Sequence, residues 1–251
     1  MDFWILITTL GNSETYIFLV AFVYFIISRK IGWKILLLSV LTGVIVQVLK
    51  DFFKITRPPK ELWKIEAEGY SFPSGHSAGA SSFWSYLALN LKNKLFYIIS
   101  AVIILLVAVS RVILGVHYIQ DIIVGILLGL ALALIFYFLD NKIKNLKEEK
   151  KNKTLAIGTL IIVFLSPYLI FKLPLIGSAF LGFGLAHVFV HFLNLKEQTT
   201  VKKRILNFIL SVSIMSIIII FSNKLFVFVA GFLACFFPQA LWYFIDKCIK
   251  K

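Results

Sequence analysis

Residues 94–139 read KLFYIISAVIILLVAVSRVILGVHYIQDIIVGILLGLALALIFYFL. They hold two apolar runs, 94–114 and 116–139, each long enough to cross the roughly 30 Å hydrocarbon core of a bilayer as a helix. The ionisable residues of the connection, Arg111, His117 and Asp121, therefore share one membrane surface. Outward from this pair the chain divides into further apolar runs at 13–28, 33–53, 75–91, 154–171, 174–193, 205–222 and 225–245. The expected fold is all-α: a polytopic membrane helical bundle of about nine transmembrane helices. Asp2–Leu10, with Trp4 among aliphatics, reads as an interfacial helix before a turn at Gly11-Asn12. It is too short and lacks the basic start and cleavage site of a secretory signal, so it is expected to stay in the mature protein.

Composition agrees. The 251 residues are 60% hydrophobic and 15% charged, against roughly 45–50% apolar in a soluble domain. The formal charge of +14 is dispersed in short clusters between apolar runs, which excludes a nucleic-acid patch and points to membrane lipids as contacts. Cys235 and Cys248 are the two cysteines, so neither a disulfide framework nor a cysteine metal site is expected.

Assigning alternate connections to opposite sides concentrates Lys and Arg on one of them: Arg29, Lys30, Lys34, Lys92, Lys94, the six lysines from Lys142 to Lys153, Lys196, Lys202, Lys203, Arg204, Lys247, Lys250 and Lys251. By the positive-inside rule that side is cytoplasmic. The loop 54–73 and the segment 110–117 then face outward, with the amino terminus outside and the carboxyl terminus in the cytoplasm. Residues 141–153, rich in Lys, Glu and Asn, read as a solvated basic linker between 1–140, which carries the notable polar residues, and a four-helix region, 154–251.

Three clusters fall on the outer surface. Lys50 and Arg57-Pro58 follow the second run; Lys50 alone could equally be a snorkelling helix end. Pro73-Ser74-Gly75-His76 opens the third, ahead of small residues (Ser77, Ala78, Gly79, Ala80, Ser81, Ser82) that let backbones approach closely. Ser74 can cap a helix, and free N–H groups at a helix start, made approachable by Gly75, also suit an anion. In the third cluster His117 and Asp121 are four apart, one helical face if helical, so the carboxylate can hold one ring nitrogen and leave the other free. Arg111 adds a planar guanidinium matched to phosphate. The plain structural reading is an Asp–His bond locking two helix ends. Together the clusters supply three cations, two histidines and an orienting carboxylate, a set able to surround a phosphoryl group in transfer.

These residues resemble the type 2 phosphatidic acid phosphatases, which include lipid phosphate phosphatases, undecaprenyl-diphosphate phosphatases and glucose-6-phosphatase. The family pattern is Lys-x6-Arg-Pro, Pro-Ser-Gly-His and Ser-Arg-x5-His-x3-Asp, and it matches here at Lys50, Arg57 and Pro58, at Pro73 to His76, and at Ser110, Arg111, His117 and Asp121. The similarity covers roughly residues 1–140, including the opening Ile-Thr-Thr-Leu-Gly-Asn. The resemblance implies a phosphatase acting on a lipid phosphate (phosphatidic acid, phosphatidylglycerol phosphate or a polyprenyl diphosphate). It further implies that His117 is the nucleophile, passing through a phosphohistidine, that Asp121 orients it, and that His76 protonates the leaving group. Lys50, Arg57 and Arg111, with Ser74 and the Gly75 amide, would bind the phosphate. It implies no metal and no cofactor; only Glu61, Glu66 and Glu68 are scattered through the loop. Trp63, Tyr70 and Phe72 could cover the site or anchor the interface.

Two other readings are a phosphotransferase passing phosphate to another lipid or sugar, and a lipid transporter with a vestigial site. Glucose-6-phosphatase and sphingosine-phosphate phosphatases also carry helices beyond the core, so 154–245 is not foreign to the family. His187 and His191, four apart in that region, could be a metal pair or a proton relay, but interhelical bonding or packing is expected. Pro167, Pro174 and Pro238 are expected at kinks or ends.

Overall fold

The computed structural model describes residues 3–144, 157–158, 160, 164–165, 167–195, 197–219 and 224–249. Among them the protein is all-helical, with no strand. The helices are α1 (Phe3–Thr9), α2 (Ser13–Phe22, continued by a π-turn at Val23–Ile27), α3 (Arg29–Phe53), α4 (Gly75–Leu91), α5 (Lys94–Ile113), α6 (Ile119–Lys144), α7 (Pro174–Phe192), α8 (Val201–Ile219) and α9 (Lys224–Ile249).

Among the described residues, four helices are long and apolar enough to cross a membrane: Arg29–Phe53, Lys94–Ile113, Ile119–Ile143 and Val227–Ile245. Counting α1 and α2 as one broken span makes five. The expected nine is not reached on this criterion: α4 has 17 residues, the run 174–193 counts only as a shorter apolar helix, Gly177–Phe192, the run 205–222 extends past the described residues, and 154–171 lies largely outside them, as does most of the linker 141–153. Leu95, Val102 and Leu105 of α5 and Ile123, Leu127 and Phe138 of α6 are exposed. Such apolar stripes are costly in water and stable against acyl chains, so the protein is an integral membrane protein.

The chain forms two compact units, Met1–Tyr16 with Leu41–Asn152, and Ile17–Val40 with Lys153–Lys251. This differs from the division at 141–153 expected from composition: most of the first span and the first half of α3 group with the later helices. The cause is aromatic packing. Tyr24 meets Phe183 edge-on at 5.1 Å, and Trp33 stacks on His187 at 4.2 Å. The Tyr24 hydroxyl is 2.8 Å from His187 Nδ1 and accepts from Gln239 Nε2 at 3.4 Å. His187 is thus a packed, hydrogen-bonded core residue and His191 is exposed; among the described residues no group of three or more His, Cys, Asp or Glu could hold a metal. Cys235 is a free, buried thiol. Pro174 opens α7, whereas α9 runs through Pro238.

In the first unit α4 and α6 are in backbone contact. A Cβ at Gly125 would lie 2.7 Å from the Ser74 carbonyl oxygen, and one at Gly129 would lie 2.4 Å from that of Ala78. The small residues of α4 thus meet a Gly-x3-Gly face on α6. Ser81 Oγ donates across the contact to the Ile126 carbonyl at 2.8 Å. The start of α4 and the first turn of α6 are thereby held at one end of the unit, where the three motifs lie.

Candidate active site

α3 ends with Lys54 in the left-handed region (φ 50°), its N–H on the Lys50 carbonyl at 3.0 Å. The chain then enters loop 54–74, which is held by its own polar groups. Ser71 N–H donates to the Ile55 carbonyl at 2.9 Å and Lys64 N–H to that of Leu114 at 3.0 Å. Trp63 Nε1 donates to the Pro58 carbonyl at 2.8 Å, and Phe72 packs edge-on against Phe53 at 5.1 Å. Trp63 is therefore tied to the loop itself and Phe72 to the end of α3. Lys50, buried, donates its Nζ to the carbonyls of Tyr70 and Ser71.

Gly115 brings the third motif under this loop. Its φ is +74°, and a Cβ there would stand 1.9 Å from the Leu62 carbonyl oxygen, so both conformation and space require glycine. Beyond it His117 lies just before α6. The expected His117–Asp121 contact forms, with Nδ1 3.2 Å from Asp121 Oδ2. It forms across a turn and not along a helix, because α6 starts at Ile119. The same Oδ2 accepts the Tyr118 N–H at 2.9 Å, which fixes the carboxylate. Asp121 is fully buried and its Oδ1 has no hydrogen-bond partner.

The other ring nitrogen, His117 Nε2, lies 3.1 Å from Arg57 Nη1. A guanidinium only donates, so Nε2 must accept, and the proton must sit on Nδ1, facing Asp121. The tautomer is set from both sides. Arg57 is itself anchored on carbonyls: Nη1 on Val116 at 2.8 Å, Nη2 on Glu68 at 2.7 Å and Nε on Gly69 at 3.1 Å. Burial, and then the positive charges of Arg57, Arg111 and Lys50, lower the His117 pKa to about 4 against the Asp121 hydrogen bond, which raises it. At neutral pH the imidazole is uncharged, with its lone pair on the Arg57 side.

Ser74 caps α4, its Oγ accepting from Ser77 N–H at 3.4 Å. Its own N–H donates to the Asp121 carbonyl at 3.0 Å, tying the second motif to the third. A Cβ at Gly75 would meet only Val46 Cγ1, at 3.6 Å, so the approach to the first helical N–H groups is open. His76 Nε2 is 3.1 Å from Asn12 Oδ1. Arg111, 4% exposed, donates Nη1 to Thr8 Oγ1 at 2.7 Å, while its Nε is buried without a partner among the described residues. His76 and Arg111 are thus held by the same stretch, Thr8 to Asn12, while Arg57 meets His117 directly. Glu61, Glu66 and Glu68 are exposed in the loop.

Thr8 and Asn12 were not expected among the partners. The only sequence signal for them is the Thr-Thr-Leu-Gly-Asn turn itself.

Comparison with known proteins bears on the same region. Residues 31–144 match the family model described as PAP2 superfamily. Phosphatidylglycerophosphatase B of Bacillus subtilis (strain 168) is 34% identical over 129 residues, which is 47% of this chain and 63% of that protein. Sphingosine-1-phosphate phosphatase 1 of Rattus norvegicus is 29% identical over 160 residues, 60% of this chain and 37% of that protein. The chain thus spans less than two thirds of these relatives. Among solved structures, the crystal structure of a transmembrane PAP2 type phosphatidylglycerolphosphate phosphatase from Bacillus subtilis superposes with a TM-score of 0.53 at 32% identity. It covers 57% of this chain and 78% of that one.

Proposed function

Because this chain belongs to the PAP2 superfamily, we propose that it is a lipid phosphatase that cleaves a phosphomonoester or diphosphate of a membrane lipid through a phosphohistidine on His117. The observation that carries the reading is the two-sided hold on that ring, Asp121 on Nδ1 and Arg57 on Nε2. It yields a neutral imidazole with its lone pair beside a phosphate-binding guanidinium.

As the phosphate arrives, its oxygens take the donors of Arg57, Arg111 and Lys50, and the Arg57 bond to Nε2 passes to the substrate. Nε2 attacks phosphorus in line as the ester P–O bond breaks, and His76 gives its proton to the departing oxygen. The bound phosphate's negative charge favours the protonated form of His76 at that moment. Asp121 meets the positive charge that develops on the His117 ring. Water then attacks phosphorus, giving its proton to His76; the P–N bond breaks, inorganic phosphate leaves and the Nε2 lone pair is restored. The charge moving onto the three equatorial oxygens faces three fixed cations throughout.

No metal enters this scheme, and the donor set supports that: the loop carboxylates are exposed and scattered. We assign the chemistry to residues 1–140, which contain every residue named in it, and leave 154–251 outside it. The named activities of the relatives support a lipid phosphate such as phosphatidylglycerol phosphate, with phosphatidic acid and a polyprenyl diphosphate in the same class of substrate.

Purified protein in EDTA is expected to release phosphate from phosphatidic acid. No release, or label passing to a second lipid instead of free phosphate, contradicts hydrolysis. Since the neutral imidazole is the active form, activity is present above its pKa and lost below it. With His117 held at about 4, the acid limb of kcat/KM, corrected for the substrate's own ionisation near about pH 6, should lie at about pH 4, while the limb at higher pH belongs to His76, which must carry its proton to act as the acid. An acid limb near the ordinary histidine value would contradict the assigned environment.

The Lys and Arg distribution supports an extracytoplasmic site with the carboxyl terminus in the cytoplasm. Lys64→Cys, in the exposed loop, should react with an impermeant thiol reagent in intact cells; reaction only after lysis would put the site in the cytoplasm.

A further inference from the structure

Residues 8–12 precede the stretch matched by the family model, yet they touch two of the groups assigned to the reaction. α1 ends in tight turns, with Gly11 N–H on the Thr8 carbonyl at 2.9 Å and Asn12 N–H on that of Thr9 at 3.1 Å. Thr15 Oγ1 donates to the Thr9 carbonyl at 2.6 Å and secures the turn from its far side. Out of this turn Asn12 Oδ1 accepts from His76 Nε2 at 3.1 Å. One helical turn earlier Thr8, 4% exposed, accepts from Arg111 Nη1 at 2.7 Å. Gly11 sits between them, where a Cβ would come 2.9 Å from His76 Cδ2 and 2.6 Å from Val107 Cγ1. The turn is wedged against both α4 and α5, with no room for a side chain at its centre.

Both contacts have chemical consequences. With Nε2–H on the Asn12 amide oxygen, Nδ1 is the nitrogen left to exchange a proton. The amide orients the ring as Asp121 orients His117, but without a fixed charge. It therefore does not hold a proton on a ring that must give one in the first half-reaction and take one in the second. On Arg111 one donor is committed to Thr8 while buried Nε has no partner among the described residues. A buried donor of that kind is costly unless a ligand completes it.

We propose that Asn12 and Thr8 are positioning residues of the phosphoryl-transfer site, Asn12 orienting His76 for proton transfer to the leaving oxygen and Thr8 aiming Arg111 at the phosphate. This rests on the reading of His76 as the acid, and the test keeps the two separable. It uses the full-length purified protein and two probes, phosphatidic acid, whose alkoxide needs a proton to leave, and p-nitrophenyl phosphate, whose nitrophenolate does not.

His76→Ala sets the scale, its loss on phosphatidic acid exceeding that on p-nitrophenyl phosphate by about 10²-fold. Asn12→Leu should show the same bias, its loss at least about tenfold larger on phosphatidic acid, and Asn12→Gln, which keeps an uncharged amide oxygen, should reduce that bias. Thr8→Val should raise KM for both probes by about tenfold, with Thr8→Ser restoring it. Equal losses on the two probes for Asn12→Leu, or no loss on either, overturn the role of Asn12. Unchanged KM in Thr8→Val overturns that of Thr8. A missing bias in His76→Ala overturns the underlying assignment of the acid instead. If Asn12→Leu does not fold, Asn12→Ser decides by the same ratio.

Discussion

His117→Ala is expected to lower phosphate release from phosphatidic acid by about 10⁴-fold or more. The substitution removes the atom that attacks phosphorus, and the site's other basic groups have other roles: His76, its Nε2 on Asn12, has only Nδ1 for the proton of the leaving oxygen, and Lys50 is buried against the Tyr70 and Ser71 carbonyls. The fold should survive. His117 precedes α6 and is held by side-chain contacts, while the α4–α6 contact at Gly125 and Gly129 is untouched. The variant should therefore elute like the wild type in detergent and still bind inorganic phosphate, because Lys50, Arg57 and Arg111 remain. Residual turnover within about tenfold of wild type would mean that another residue is the nucleophile.

Asp121→Asn is the second large effect, expected at about 10²–10³-fold in kcat with little change in stability. The mechanism is the loss of a charge. Oδ2 accepts from both His117 Nδ1 and the Tyr118 N–H, so an asparagine with its oxygen in that place keeps both bonds and leaves the ring its tautomer. The variant loses the carboxylate's negative charge, the counter-charge for the imidazolium that develops as Nε2 attacks. Measured kcat and thermal unfolding decide the point. A normal kcat would show that the Asp121 charge does not serve the nucleophile, and a collapsed unfolding temperature with proportionate loss of activity would assign it a structural role.

Much of the helical layout was legible because breaks in apolar composition coincide with local capping chemistry. The run 75–91 is α4 to the residue, since Ser74 caps it and Lys92 turns left-handed at its end. α5 begins at Lys94 because Asn93 accepts the Leu95 N–H. Spacing alone disclosed that His117 and Asp121 could meet, but not how: the motif suggests a helical face, and the chain uses a turn at Tyr118. Long-range partners left no local trace. Arg57 reaches His117 from 60 positions away, and Asn12 reaches His76 from 64.

The same limit explains the grouping of most of the first span with the later helices. Tyr24 looks like any apolar-run aromatic until Phe183 and His187 lie against it. Gly125 and Gly129 form a small-x3-small pair readable in the sequence, yet only the structure shows that they admit the start of α4, which sets where Ser74 and His76 stand.

The central claim is a covalent phosphoryl group on His117. Mixing the purified enzyme with ³²P-labelled phosphatidic acid for less than one turnover and quenching in denaturant should leave label on the protein that is lost in acid, stable in base and mapped to the peptide containing His117. His117→Ala should show none. Phosphate release with no label on the wild-type protein at any quench time, or equal labelling of His117→Ala, would contradict the account.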